Sequence, residues 1–170
     1  MTTRIATIED IDKINSLVNS AYRGESSKLG WTTEADLLGG VRTTEASLAQ
    51  MIKQENSVIL LAEKNAVAQA CVYLQQQGNV LYLGMLTVSP ALQGQGIGAL
   101  LMEAAEQRAR ALVCELIRMT VITVRAELIA YYQRKGFVDT GKREAFPDDP
   151  EFLQKQPLEF MIMEKRLTGA

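Results

Sequence analysis

The stretch Leu86-Thr87-Val88-Ser89-Pro90-Ala91-Leu92-Gln93-Gly94-Gln95-Gly96-Ile97-Gly98-Ala99-Leu100-Leu101 decides how the chain is read. An apolar run reaches Val88 and is stopped by Ser89-Pro90, because proline lacks the N–H that a strand ladder needs. Glycines at 94, 96 and 98 then open a helix beginning near Gly94, in which Ile97, Leu100, Leu101, Ala104, Ala105, Arg108 and Leu112 follow the helical period. Amides in the first turn of a helix have no helical partner, and the helix dipole favours negative charge there. Missing side chains let phosphate oxygens approach those amides, so the segment has the makings of an anion cradle.

A helix start without a ligand gives no reason for three alternating glycines, each of which costs backbone entropy. A dinucleotide fingerprint is matched in form, since Gly94-x-Gly96-x-x-Ala99 fits G-x-G-x-x-G/A. Its setting disagrees. Five residues, Ser89 to Gln93, separate strand from glycines, and the next strand ends Thr123-Val124-Arg125 without the expected carboxylate. A Walker loop is excluded because no Gly-Lys-Ser/Thr is present.

Upstream, residues 3–7 read as a first strand, and Ile8-Glu9-Asp10-Ile11 starts a helix whose face carries Ile11, Ile14, Leu17, Val18 and Tyr22. Residues 23–34 hold turn formers without a period, and a second helix runs over Glu45 to Glu55 with Thr44 as its N-cap. Residues 57–63 and 66–74 are strands joined at Lys64-Asn65; Gln75 to Asn79 is a turn before a third meander strand, Val80 to Val88. Downstream, residues 116–124 form a β-branched strand, and a helix at 126–135 ends at Gly136. Phe137–Thr140 and Leu158–Lys165 are the last strands, on either side of Phe146-Pro147-Asp148-Asp149-Pro150. No repeat or linker divides the chain, so residues 1–170 are expected to form one domain.

Composition narrows the chemistry. The 170 residues are 47% hydrophobic and 22% charged, with a net charge of −2 and no histidine. A chain of this length hides roughly 70% of its unfolded surface on folding, so it can stand without disulfides or a structural metal. Near-neutral charge argues against a dedicated nucleic-acid binder. Without histidine, Ser-His and Cys-His nucleophilic sites and the commonest zinc ligand sets are excluded. Cys71 and Cys114 lie in apolar stretches without CxxC spacing and read as buried, reduced thiols. Met1-Thr2-Thr3-Arg4 leads into Ile5 with no apolar h-region, and the apolar runs are too short to span a bilayer. The expected location is cytoplasmic.

Gln93-Gly94-Gln95-Gly96-Ile97-Gly98 resembles the Q/R-x-x-G-x-G/A signature of the GNAT acetyltransferase superfamily, and the strand before it ends Leu-Thr-Val-Ser-Pro much as that family's fourth strand does. Ala130-Tyr131-Tyr132-Gln133-Arg134-Lys135-Gly136-Phe137 is similar to the family's Tyr-x-x-x-Gly-Phe, and the resemblance extends over the whole element order. It implies an α/β fold with α+β-type layering. The central sheet would be mixed and mostly antiparallel, of about seven strands, with helices on both faces and a splay between strands 4 and 5, here Val80–Val88 and Ile117–Val124.

The same resemblance implies an N-acetyltransferase that uses acetyl-CoA as co-substrate, without a metal, and moves the acetyl group to an amine by direct attack. Main-chain groups of Leu86, Thr87 and Val88 would bind the pantetheine arm and polarise the thioester carbonyl, as preorganised donors stabilise a developing oxyanion. Gln93, Gly94, Gln95, Gly96, Ile97 and Gly98 would hold the pyrophosphate. Tyr132 matches the family tyrosine that protonates the departing thiolate. A phenol of pKa about 10 facing a thiol of about 8.5 gives a weakly driven transfer, yet the hydrogen bond stabilises the leaving charge. Tyr131 reads as packing or substrate-facing. Arg125 stands where many members carry asparagine, seven residues before the tyrosine.

The acceptor side is less legible. A general base or a water chain must take the amine's proton, and Tyr82, Leu83, Gly84 and Met85, where relatives often place a glutamate, include no carboxylate. In the loop after the first helix, Trp31 and Glu34 are the candidate substrate residues, with Glu25 a further carboxylate. Glu25, Glu34, Asp148, Asp149 and Glu151 would suit a cationic acceptor, although surface loops are acidic in general. The expected partner is an amine of a small molecule or a protein, with no nucleic acid and no membrane. Relatives often pair through late strands such as 158–165, which makes a homodimer plausible. The alternative from another class is a CoA- or acyl-CoA-binding sensor that kept the cradle and lost the chemistry, favoured by the missing strand carboxylate and disfavoured by Tyr132.

Overall fold

The computed structural model describes residues 1–22, 42–146 and 158–167. Among them, in chain order, are β1 (Thr2–Ile5), a 3-10 turn (Ile8–Asp10), α1 (Ile11–Tyr22), α2 (Glu45–Lys53), β2 (Ser57–Lys64), β3 (Val67–Gln77) and β4 (Val80–Val88). A second 3-10 turn (Pro90–Leu92) leads to α3 (Ile97–Ala111), β5 (Leu116–Ile122), α4 (Ala126–Arg134), β6 (Val138–Ala145) and β7 (Glu159–Arg166). The strands form one seven-stranded sheet in the order β1-β2-β3-β4-β5-β7-β6. Only β4 and β5 pair in parallel; the other neighbours are antiparallel. This is the mixed α/β architecture the sequence leads one to expect.

Helices cover both faces because the central strands are apolar on both. Ile97, Leu101, Met102, Ala105 and Ala109 of α3 and Tyr132 of α4 pack with Leu60, Leu74, Leu81, Leu83, Ile117 and Met119 of the sheet. On the opposite face, Ile14, Leu17, Val18 and Ala21 of α1 and Leu48 of α2 pack with Ile59, Leu61, Cys71, Tyr73 and Met85. Successive β2 residues therefore serve opposite cores, as strand geometry requires. Burying each leucine- or isoleucine-sized side chain contributes about 1.5–3 kcal/mol. Cys71 and Cys114 are buried free thiols, and burial pushes the Cys71 thiol up to about 12.

Local signals explain the helix starts. Thr44 accepts from the Ser47 amide at 3.1 Å as the N-cap of α2. Ahead of α1, Asp10 accepts from the Thr7 amide at 2.8 Å and from both Arg4 terminal nitrogens at 2.7 and 2.8 Å, while Arg4 also reaches Glu63 on β2 at 2.6 Å. No helix among the described residues is long and apolar enough to cross a membrane.

The structure departs from the sequence reading in places. Gln75, Gln76 and Gln77 extend β3, paired with Tyr82, Leu81 and Val80, so the turn shrinks to Gly78 and Asn79. The glycine-rich helix begins at Ile97 rather than near Gly94, because Gly94 and Gly96 take left-handed φ values of 85° and 82°. Leu100 is 38% exposed while Met102 and Ala109 are buried, so the apolar face is turned from the expected one. β6 continues to Ala145 because β7 pairs with it on both sides of an irregularity containing Gly141. Glu25, Trp31, Glu34, Asp148, Asp149 and Glu151 lie outside the described residues.

Candidate active site

Pairing between β4 and β5 runs only from Val80 to Tyr82 against Leu116 to Arg118 and then stops, which opens the sheet at the end of β4. On its other edge β4 stays bonded to β3 but carries an extra residue. Tyr73 faces Gly84 and Cys71 faces Thr87, so Met85 and Leu86 together oppose Val72. Met85 takes a left-handed φ of 55°, which costs an L-residue about 1–2 kcal/mol and fits the bulge. The Met85 carbonyl accepts from Thr87 Oγ1 at 2.9 Å. The bulge sends Met85 into the core beneath α1 and lets Leu86 pack toward α3. Tyr22, at the end of α1, donates its hydroxyl to the Leu86 carbonyl, and the Arg42 guanidinium lies 5.5 Å from the centre of its ring.

Past β4, the Gln93 side-chain amide donates to the Val88 carbonyl at 3.2 Å and folds the turn back on the strand. Gly94 and Gly96 hold a conformation that L side chains rarely adopt, and a Cβ on either would meet nothing within 4 Å. Glycine is thus needed there by the backbone, and the surface beside it stays open. The first hydrogen bond of α3 joins the Leu100 amide to the Gly96 carbonyl at 3.1 Å, which leaves the Ile97, Gly98 and Ala99 amides beyond the helical ladder. Gly98 has a different reason: a Cβ there would lie 3.3 Å from the Tyr131 hydroxyl.

Tyr132 is held by the way α4 stops. The Gly136 amide bonds the Gln133 carbonyl and the Phe137 amide bonds the Tyr132 carbonyl, both at 3.0 Å, with Gly136 at a φ of 98°. This is a Schellman cap, which commonly carries an apolar contact between its first and last residues. Here that contact is Tyr132 edge-on to Phe137, with ring centres 5.9 Å apart. The Tyr-x-x-x-Gly-Phe spacing is therefore a helix stop that fixes a tyrosine. Tyr132 is 6% exposed, and its hydroxyl makes no hydrogen bond among the described residues. Burial raises its pKa well above the ordinary phenol value, with Tyr22 and Tyr131 adding to the rise and Arg125 opposing it.

Two cavities meet at this point, and Tyr22, Leu86, Leu128 and Tyr132 line both. The first, of about 340 Å³, is walled by Leu86, Val88, Gln93, Gly94, Gly96, Ile97 and Gly98 and by Tyr131, Arg134 and Lys135. Thr87 and Gln95 are not on that wall; Thr87 is 1% exposed with its hydroxyl turned to Met85. Open glycines, unladdered amides and two cations, with no carboxylate among the described lining residues, fit a polyanion such as the pyrophosphate of acetyl-CoA. The second cavity, of about 520 Å³, lies against Tyr82, Gly84, Arg42, Arg118, Arg125 and Glu144. A Cβ on Gly84 would come 2.9 Å from the Tyr82 ring, so that ring fills the space beside this stretch of β4.

Sequence reasoning took Tyr22 as part of a helix face and passed over Arg42, Arg118, Arg134, Lys135 and Glu144. Their charges look like those of any solvated surface, and only the splay of β4 from β5 gathers them. Glu144 is the sole carboxylate lining either cavity among the described residues.

The sequence profile of the acetyltransferase (GNAT) family matches residues 17–137. Among curated proteins, none matches the chain. Solved structures agree in fold at low identity. The ribosomal-protein-S18-alanine N-acetyltransferase of Escherichia coli is similar with a TM-score of 0.74 and 16% identity, over 99% of this chain and 95% of that one. Ard1 of Thermoplasma volcanium gives 0.74 and 16%, over 99% and 98%. The structure of yncA from Salmonella typhimurium with its cofactor acetyl-CoA gives 0.71 and 20%, over 100% and 95%. With a profile that spans most of its length, the chain belongs to the acetyltransferase (GNAT) family.

Proposed function

We propose that residues 1–170 act as one catalytic domain that transfers acetyl from acetyl-CoA to an amine by direct attack, with Tyr132 as the proton donor. Bound acetyl-CoA supplies an activated thioester, whose C–S bond breaks as the C–N bond to the amine forms. The glycine turn supports binding of the pyrophosphate, and the bulged main chain at Leu86 presents backbone groups toward the junction of the cavities. Tyr132 carries the reading: a buried, protonated hydroxyl with no hydrogen bond among the described residues, at the point where the two cavities meet. Its raised pKa keeps the hydroxyl protonated, so that it meets the departing sulfur as a hydrogen-bond donor, and the proton follows only as charge builds on the thiolate. The amine's proton goes to Glu144 on the acceptor wall or to water.

Thiol release from acetyl-CoA against a panel of amines tests this directly. Release with at least one amine, and its collapse in Tyr132→Phe, is the expected result. Tight acetyl-CoA binding with no release on any amine would instead favour a CoA-binding sensor, a reading kept in view by the absence of a carboxylate between Tyr82 and Met85.

A further inference from the structure

We infer that Leu128 limits the size of the acyl group, so that the site takes acetyl and turns away longer acyl chains. The inference rests on the acetyl-transfer reading and deepens it on the donor side.

Two elements pass the cavities in the same order. On β4, Tyr82 to Met85 line only the second cavity, Leu86 lines both, and Val88 lines only the first. On α4, Arg125 at the entry lines only the second, Leu128 and Tyr132 line both, and Tyr131, Arg134 and Lys135 line only the first. Strand and helix thus run together from the acceptor side to the coenzyme side.

Leu128 and Tyr132 are four residues apart and share a face of α4. Leu128 stands one turn, about 5.4 Å, closer to the end of α4 that borders the second cavity. With Tyr132 meeting the sulfur and the amine arriving from the second cavity, the acyl group faces the turn that carries Leu128. The other residues at the junction have different tasks. Tyr22 is tied through its hydroxyl to the Leu86 carbonyl, Leu86 acts through its main chain, and Tyr132 supplies the proton. Leu128, whose side chain has no polar atom, contributes volume. It is half-buried and packs against the core beneath α3 and α4, so it has little room to swing aside. A longer acyl chain must displace it or run on into the cavity that the amine has to enter.

The test measures thiol release from acetyl-, propionyl- and butyryl-CoA with the best amine. Wild type should use acetyl-CoA with a kcat/KM at least about tenfold above that for butyryl-CoA, since an apolar pocket discriminates one methylene by roughly 10–200-fold. Leu128→Ala should shrink that ratio at least about fivefold, because a buried methylene is worth about fourfold in affinity. Leu128→Phe should move the other way and widen the gap between acetyl- and propionyl-CoA. Ile129→Ala is the control: Ile129 packs on the same core but lines neither cavity, so its loss should leave the ratio alone. If Leu128→Ala does not fold, Leu128→Val takes its place. Butyryl-CoA used as well as acetyl-CoA by wild type would overturn the inference. So would a ratio that the Leu128 truncation leaves unchanged, or that Ile129→Ala shifts equally.

Binding supplies a second readout that needs no turnover. By calorimetry, the Leu128 truncation should raise the affinity for butyryl-CoA relative to acetyl-CoA severalfold over wild type, and Ile129→Ala should not. If no amine releases thiol from any donor, the transfer reading fails, and this affinity ratio alone decides whether Leu128 limits the acyl group. An unchanged affinity ratio rejects the inference.

Discussion

The hydroxyl of Tyr22, the last residue of α1, donates to the main-chain carbonyl of Leu86 on the bulged part of β4. One side chain thereby ties a helix on one face of the sheet to the strand residue at which two cavities meet. The bond fixes the bulge from the side that β5 leaves open. Tyr22→Phe should cost about 1 kcal/mol of stability, the usual worth of one such bond, read by urea denaturation. Turnover should fall less than in Tyr132→Phe. A Tyr22→Phe enzyme of unchanged stability that loses turnover as completely as Tyr132→Phe would move the proton-donor role to Tyr22.

Tyr132→Phe should lower kcat by on the order of 100-fold or more, the range for loss of a positioned acid, while acetyl-CoA affinity changes less than about threefold. Stability at neutral pH should hold, since the hydroxyl has no hydrogen bond among the described residues to lose and the edge contact with Phe137 remains. The alkaline side gives a second signature. Burial raises the Tyr132 pKa in the folded state, so above pH ~10 the unfolded chain loses this proton while the folded chain retains it. The contribution is complete below pH ~10 and declines as pH rises beyond it. Denaturation between pH 9 and 11 should show a shallower decline for the phenylalanine variant.

Much of this architecture was open to sequence reading, for identifiable reasons. Val80–Val88 was bounded by Gly78-Asn79 and Ser89-Pro90, and α2 was announced by Thr44, because turn and cap chemistry is local. The Tyr132–Gly136–Phe137 arrangement is also local, a helix stop written in six residues. The bulge at Met85 was not legible: neither Gly nor Asn marks it, and its left-handed backbone is imposed by the pairing of β3 with β4 and by Thr87. The start of α3 at Ile97 is not legible either, because glycine gives no sign of which φ it adopts. The lining of the second cavity is least visible, since Arg42, Arg118, Arg125 and Glu144 come from four parts of the chain.

Gly96→Ala separates backbone need from ligand access. With φ at 82° and no atom within 4 Å of a new Cβ, the substitution meets no clash and costs the left-handed penalty of about 1–2 kcal/mol. The methyl would also stand beside the unladdered amides of α3, and acetyl-CoA affinity should fall severalfold by calorimetry. Gly78→Ala supplies the control, because Gly78 has a φ of 64°, equally open surroundings and a place in the β3–β4 turn. It should lose similar stability while acetyl-CoA affinity stays. Equal affinity losses in both variants would remove the glycine turn from cofactor binding.

The Arg4–Asp10 pair makes an acid-stability prediction independent of the active site. Hydrogen bonds from Arg4 hold the Asp10 carboxyl at a pKa of about 2, helped by the Thr7 amide and opposed by burial. A folded-state pKa below the unfolded value means that the pair stabilises the fold above pH ~4, and that this contribution disappears as pH falls through about 2. Arg4 is 40% exposed, so solvent screening limits the gain to about 1 kcal/mol, less than the shift alone would suggest. Asp10→Asn should therefore be less stable than wild type by about that amount at pH 7. The gap should narrow below pH 4 and close near pH 2, measured by urea denaturation at each pH. A gap that stayed constant down to pH 2 would mean that Asp10 acts through the shape of its hydrogen bonds to Thr7 rather than through its charge.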